Sequence, residues 1–324
     1  MRAIQVSEHG GPEVLEYTEL PDPRIGPAQL LVETEAIGVN YIDTYFRTGA
    51  YSRPLPYIAG QEGTGVVVEV GDEVGEFAVG DRVAWANAPG SYASRVAVDE
   101  AVAVAVPEGE ERIDAPVAAS ALLQGMTAHY LLESVYKPEP GETILVHAGA
   151  GGVGLLLTQW AAARGVRVIT TVSTDEKETL SRSAGAWEVL RYGDDLADRV
   201  RALTDGEGVA AAYDGVGAPT FDHSLASLRV RGMLALFGAA GGPVPPVDLQ
   251  RLNAAGSVFV TRPTLVHYTR TRDELKWRAG DILAAIADGS LTVRIGATYP
   301  LAEAERAHRD LEGRRTTGSI VLLP

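Results

Sequence analysis

The segment from Thr143 to Gly165 limits the possible folds of this 324-residue chain more than any other. A short apolar run, Thr143–His147, leads into Gly149-Ala150-Gly151-Gly152-Val153-Gly154, and an apolar helical stretch continues to Arg164. The pattern G-x-G-x-x-G is common by itself. Between a strand and a helix it has a physical meaning: glycines permit a tight turn, let backbone N–H groups approach a pyrophosphate, and let the helix pack close to the strand. The N-terminus of that helix then favours an anion. Gly165 stands where a C-terminal helix cap belongs. The stretch Thr143 to Ala163 carries no charge, but its four glycines argue for a buried strand, a turn and a buried helix, and against a membrane span.

Strand and helix signals alternate on both sides of this turn. Val166–Val172 is a β-branched run, and Asp175–Ala184 reads as a helix ended by Gly185. Strands are expected again at Glu188–Arg191, Val209–Asp214, Met233–Phe237 and near Ser257–Thr261, with helical stretches between them. That alternation predicts βαβ units and a doubly wound parallel sheet. The first third differs. Short strands at Gln29–Thr34, Thr64–Val70 and Arg82–Trp85, with Gly10-Gly11-Pro12 and Pro21-Asp22-Pro23 as punctuation, predict a mainly β domain. A long helix follows from about Ala115 to Tyr136. In the tail, Thr271-Arg272-Asp273-Glu274 is a capping box opening a helix to about Asp288. A strand at Leu291–Ile295, a helix at Leu301–Leu311 and a strand at Ser319–Leu323 complete the chain. The N-terminal β region lacks the elements to close its own surface. The tail is therefore expected to pack back on it, which makes the nucleotide-binding domain an insertion in an α/β chain.

Composition excludes several chemistries. There is no cysteine, so disulfides, thiolate metal sites and cysteine nucleophiles are ruled out, and a reducing cytoplasm fits. The six histidines, at 9, 129, 147, 223, 267 and 308, form no H-E-x-x-H or comparable local pair, so no metal is expected. His147, on an apolar strand end, reads as a core histidine. The start, Met1-Arg2-Ala3-Ile4, lacks the apolar core of a signal peptide. A net charge of −15 makes nucleic acid a poor partner. The second strand of the alternating region ends Val172-Ser173-Thr174, where an NAD-preferring site carries a carboxylate for the ribose 2′-OH. Here a hydroxyl stands there and Lys177 follows, a pair suited to a 2′-phosphate, with Asp175 as an objection. Lys177 also admits a plain role as a solvated helix-face lysine.

The run Leu145-Val146-His147-Ala148-Gly149-Ala150-Gly151-Gly152-Val153-Gly154 resembles the fingerprint of the medium-chain dehydrogenase/reductase superfamily. Gly38-Val39-Asn40-Tyr41-Ile42-Asp43, Ala59-Gly60-Gln61-Glu62-Gly63, Tyr213-Asp214-Gly215-Val216-Gly217 and Thr317-Gly318-Ser319-Ile320-Val321 are similar to its zinc-free, zeta-crystallin-type quinone oxidoreductase branch. The likeness runs over nearly the whole chain. Zinc-bearing relatives carry Cys in the segment aligned with Ile37–Asp43, His-Glu in place of Gln61-Glu62, and a four-cysteine lobe; all are missing here.

The resemblance implies a GroES-like domain over 1–124 and 262–324 and a Rossmann NADPH-binding domain over 125–261. It implies that Gly149, Gly151, Gly152, Val153 and Gly154 hold the pyrophosphate, that Ser173, Lys177 and Tyr192 meet the 2′-phosphate, and that Arg314, beside Arg315, adds a cofactor contact. Asn40, Asp43, Tyr45 and Tyr51 would line the nicotinamide and acceptor cleft, with Tyr130, Phe237 and Arg262 as its wall at the domain join. Plain packing roles stand beside these: Tyr192 at a strand end, Phe237 in the core, Arg262 as partner of an acid, Asn40 bonding backbone only, and Tyr45 and Tyr51 as wall without chemical work. The implied function is NADPH-dependent reduction of a small-molecule quinone or similar acceptor. An enone or alkenal double-bond reductase and a non-catalytic NADPH-binding protein are the alternatives. A cytoplasmic homodimer is implied, with Met233–Phe237 as the edge strand that joins the sheets.

Overall fold

A computed structural model of the chain describes residues 1–107, 109 and 112–324. They separate into two compact units, Met1–Met126 with Thr269–Pro324, and Thr127–Tyr268. The N-terminal part of the first unit runs β1 (Arg2–Val6), β2 (Leu15–Glu19), β3 (Gln29–Val39), α1 (Tyr41–Arg47), β4 (Tyr57–Ile58), β5 (Glu62–Val70), β6 (Arg82–Trp85), β7 (Arg95–Asp99), β8 (Val104–Ala105) and α2 (Ala115–Tyr130) as far as Met126, the last turn of α2 belonging to the second unit. The long strand β3 is its spine and pairs antiparallel with both β5 and β7. Alternate apolar residues of these strands, among them Leu30, Val32, Val67, Val83 and Val98, bury together around Trp85. Burial of each such side chain stabilises by roughly 1.5–3 kcal/mol. The indole N–H of Trp85 is not left unmatched, since it donates to Ser91 Oγ at 2.8 Å.

The second unit carries β9 (Thr143–Val146), α3 (Gly152–Ala162), β10 (Arg167–Val172), α4 (Asp175–Ser183), β11 (Glu188–Arg191), α5 (Leu196–Ala202), β12 (Val209–Asp214), α6 (Phe221–Ser227), β13 (Leu228–Leu236), α7 (Gln250–Ala254) and β14 (Phe259–Thr261). All six strands pair in parallel, in the order β11-β10-β9-β12-β13-β14. This is the doubly wound order 3-2-1-4-5-6, whose direction reverses between β9 and β12. Every residue of β9 and β12 is buried, as expected for central strands covered on both faces.

Three expectations need correction in this unit. The helix expected to reach Tyr136 leaves α-helical pitch after Tyr130 and finishes as a π-helical turn, Leu131–Val135. The segment 262–268 stays with this unit, because Tyr268 stacks on Tyr130 with ring centroids 4.5 Å apart and planes 5° from parallel. The unit therefore ends at Tyr268, not at 261. Finally, Met233–Phe237 is not an edge. Its strand, β13, is paired on both sides; β11 and β14 are the edges, and on β14 Phe259 and Val260 are exposed.

The tail supplies α8 (Arg272–Ala287), β15 (Ile295–Pro300), α9 (Ala304–Glu312) and β16 (Ser319–Leu323) to the first unit. Helix α8 opens on the expected capping box, with Thr271 Oγ1 accepting from the Glu274 N–H at 3.1 Å. Strand β16 pairs antiparallel with β3, Ile320 opposite Val39 and Leu322 opposite Ile37, and so completes the sheet β15-β16-β3-β5-β6-β8. The strand expected at Leu291–Ile295 begins only at Ile295. Leu291 and Val293 are buried without strand pairing, so their alternation signals burial alone.

Candidate functional site

In the second unit the glycine-rich turn is fixed from both sides. Gly149 N–H donates to the Thr171 carbonyl at 2.9 Å, and Ala148 is held at φ 54°. A Cβ on Gly149 would lie 2.5 Å from Thr170 Cβ, and one on Gly154 would run into the Ala148 carbonyl. These are cradle positions in which only glycine lets strand, turn and helix meet. Gly151 is the N-cap of α3, and Gly152, Val153 and Gly154 form its first turn. The Gly151 N–H is held by the Ala148 carbonyl at 2.9 Å, while first-turn N–H groups such as those of Gly152, Val153 and Gly154 lack an i−4 acceptor and suit an anion. His147 lies beneath the turn with Nδ1 2.9 Å from Thr171 Oγ1 and Nε2 2.9 Å from Ser224 Oγ. Because the Ser224 hydroxyl donates to Asp214 Oδ2 at 2.7 Å, it accepts from His147, which fixes the proton on Nε2. Burial pushes the His147 pKa down, so it is a neutral core histidine.

The C-terminal ends of β10 and β11 extend this site. Ser173 is exposed just past β10, and Lys177 sits in the first turn of α4, where its N–H is capped by Thr174 Oγ1 at 3.3 Å. Tyr192, just past β11, accepts a hydrogen bond from the Ala148 N–H at 3.0 Å, and its ring lies 6.1 Å from that of His147. The turn, Ser173, Lys177 and Tyr192 are thus brought to one end of the sheet. Phe237 is half-buried with its ring over Gly215, so it is not a core residue. Arg262 is exposed and donates to the Pro263 carbonyl at 3.2 Å, and Tyr130 is buried against Tyr268.

The first unit gathers the residues expected around the acceptor. Asn40 caps α1, and its N–H donates to Asp43 Oδ2 at 2.9 Å. Tyr45 and Tyr51 pack with centroids 5.2 Å apart, and Tyr51 is 39% exposed. Arg314 is exposed in a left-handed conformation at φ 56°, after α9.

Asn40 and Asp43 belong to a buried polar network that motif reading missed. Ser319 Oγ donates to Gln124 Oε1 (2.7 Å), Gln124 Nε2 to Asn40 Oδ1 (3.1 Å), and Asn40 Nδ2 to Glu62 Oε2 (2.7 Å). Glu62 Oε1 also accepts from the Leu123 N–H at 2.7 Å. Beyond Asp43, the Tyr92 hydroxyl donates to Oδ2 at 3.0 Å and lies 3.0 Å from His308 Nε2. Arg47 donates to His308 Nδ1 at 3.0 Å and to Glu312 at 2.8 Å. Since Arg47 only donates, His308 carries its proton on Nε2 and donates to Tyr92. Burial raises Asp43 to about 7 and Glu62 to about 8, and lowers His308 to about 3, the last helped by the Arg47 charge. Asp43 Oδ1 is buried without a hydrogen bond, and so is Gln61 Nε2. Among the described residues no three His, Cys, Asp or Glu side chains are grouped to hold a metal ion. The one sequence signal for this network was Gln61-Glu62, a buried acid between glycines.

Two segments match known families: 26–108 the alcohol dehydrogenase GroES-like domain, and 152–281 the zinc-binding dehydrogenase family. The whole chain is 47% identical to a quinone oxidoreductase of Pseudomonas aeruginosa, covering 99% of that protein. Over 99% of its length it is 39% identical to a 2-haloacrylate reductase of a Burkholderia species, covering 98% of that protein. A solved mycobacterial structure complexed with NADPH is 58% identical, covers 100% of both chains and superposes with a TM-score of 0.97. The chain belongs to the medium-chain dehydrogenase/reductase superfamily, in its quinone oxidoreductase branch, and is an oxidoreductase.

Proposed function

We propose that this oxidoreductase uses NADPH, without zinc, to reduce quinones or similarly electron-poor acceptors. The observation that carries the reading is the end of β10, where Ser173 and Lys177 stand beside a pyrophosphate-type turn and no carboxylate occupies the strand end itself. Likeness to the NADPH-complexed mycobacterial structure supports the cofactor. Bound NADPH supplies hydride chemistry, and the protein's part is to bind, orient and stabilise charge. A quinone oxygen gains negative charge on reduction, and the Asn40 amide and the Tyr51 hydroxyl are donors able to stabilise it. A quinol takes its protons from water, so this reaction requires no buried acid. Zinc independence is supported by the donor set: no cysteine, an amide at Gln61, and Asn40 at the end of β3.

A second reading, reduction of an activated C=C, is favoured by one observation. Such a reaction needs a proton at the α carbon, and Asp43 is a buried acid raised to about 7 with one oxygen unpartnered. The likeness to the 2-haloacrylate reductase points the same way. We further propose a cytoplasmic homodimer joined through the edge strand β14. Among the described residues no helix is long and apolar enough to cross a membrane.

The test is titration with NADPH and NADH, then turnover on a panel of quinones and enones, with Lys177→Ala alongside. NADPH-selective binding weakened by Lys177→Ala, with quinone turnover, is expected. Turnover on enones alone moves the function to double-bond reduction. Tight NADPH binding with no turnover on any acceptor overturns both readings.

A further inference from the structure

Arg191, at the end of β11, stands beside the residues assigned to the cofactor. Its Cα pairs with that of Val172, the last residue of β10, and Ser173 follows directly. Its guanidinium donates to the Thr174 carbonyl, to Asp175 Oδ1 at 2.6 Å and to Glu178 Oε2 at 2.8 Å. Three bonds at one fork fix the side chain across the mouth of the β10–α4 turn. Helix α4 carries three acids, Asp175, Glu176 and Glu178, against two bases, Lys177 and Arg182. Arg191 brings this local balance to zero. Glu178 has a second cation, Arg182 at 3.0 Å, but among the described residues Arg191 is the only cation paired with Asp175.

From this arrangement we infer that Arg191 is a specificity-determining residue for NADPH: by pairing with Asp175 and Glu178 it keeps the end of β10 open to a 2′-phosphate. The inference rests on the NADPH reading above and deepens it. Asp175 lies two residues past Ser173, near where an NAD-preferring site presents a carboxylate to the ribose 2′-OH. Bound to Arg191, that carboxylate is turned to a cation, and although it is fully exposed its field at the strand end is partly offset. Released, it repels a dianionic phosphate and accepts from a ribose hydroxyl. The same residue therefore governs both sides of the choice, and its loss separates the two nucleotides. A merely structural arginine would affect both alike.

The experiment measures binding of NADPH and NADH to the full chain by fluorescence titration, for the wild type, Arg191→Ala, Arg191→Lys and Arg191→Ala combined with Asp175→Asn. Thermal unfolding of each variant is followed in parallel. Arg191→Ala is expected to raise the Kd for NADPH about 3-fold at low salt, the scale of an exposed ion pair, less as salt screens the site, and to leave NADH unchanged or tighter. Arg191→Lys keeps the charge and most of the preference. The double variant regains part of the NADPH affinity, because the uncompensated acid is gone. Equal weakening of both nucleotides in Arg191→Ala, or no change in either, overturns the inference while a wild-type preference for NADPH stands. Equal wild-type affinity for NADH and NADPH overturns the 2′-phosphate reading and the inference with it.

Discussion

Glu62 offers a quantitative test of the buried network. It is 0% exposed, and burial raises its pKa from the ordinary 4.5 to about 8. Between those two values the folded chain holds a proton that the unfolded chain has released, so rising pH favours unfolding. The stabilisation is whole below pH 4.5 and is lost as the pH passes 8. The slope is at most ~1.4 kcal/mol per pH unit, and integration from pH 5.5 to 9 gives a loss of ~3 kcal/mol from this group alone. Asp43, raised from 3.8 to about 7, adds a loss of the same sign that is largely complete by pH 7. The alkaline limb from 7 to 9 therefore belongs mainly to Glu62. The perturbation is Glu62→Gln. Its Oε1 still accepts from the Leu123 N–H, and its Nε2 donates to Asn40 Oδ1. Both amides of the chain then reverse, Asn40 Nδ2 donating to Gln124 Oε1 and Gln124 Nε2 to Ser319 Oγ, so each amide keeps its partners, the Ser319 hydroxyl changes from donor to acceptor, and no charge is left to titrate. Urea midpoints measured from pH 5.5 to 9 should show the wild type falling ~3 kcal/mol further than Glu62→Gln. Parallel curves would mean that the carboxylate is ionised throughout, and the burial argument would be refuted.

Three other outcomes follow from the same geometry. Gly154→Ala drives a Cβ into the Ala148 carbonyl and should abolish nucleotide binding by titration calorimetry; wild-type affinity would show that the turn relaxes freely. Tyr51→Phe should lower the acceptor-limited rate several-fold while leaving NADPH affinity unchanged, and an unaltered rate removes this hydroxyl from the mechanism. Phe259→Lys places a charge on the exposed edge strand β14 and should convert a dimer to a monomer in sedimentation velocity; a dimer that survives is joined elsewhere.

What could be read in the sequence was local. The strand, glycine turn and helix around Gly149–Gly154 lie within about 20 residues, the span over which side-chain period and turn chemistry decide structure. The parallel strands were legible because β9 and β12 are buried on both faces and so read as unbroken apolar runs. Pairing was less legible. Leu291 and Val293 alternate like a strand because they are buried, yet the ladder to β16 begins at Ile295. The edge was misplaced for another reason: in the order 3-2-1-4-5-6 the sixth strand closes the sheet, so a count of strands points to Phe259–Thr261, whereas the apolar strength of Met233–Phe237 points inward.

The site divides along the same line. Glycines, Ser173 and Lys177 announce themselves by position in a motif, but Tyr92, Gln124, His308 and Ser319 reach Asn40 and Asp43 from elements far apart in the chain, and no spacing connects them. Asp175 is the sharpest case. Along the sequence it is a carboxylate beside a phosphate site and counts against it. Across the sheet it is half of an exposed ion pair with Arg191, on the next strand, and its charge is partly offset. A charge has a sign in the sequence, but its effect on a ligand depends on the neighbour that folding gives it.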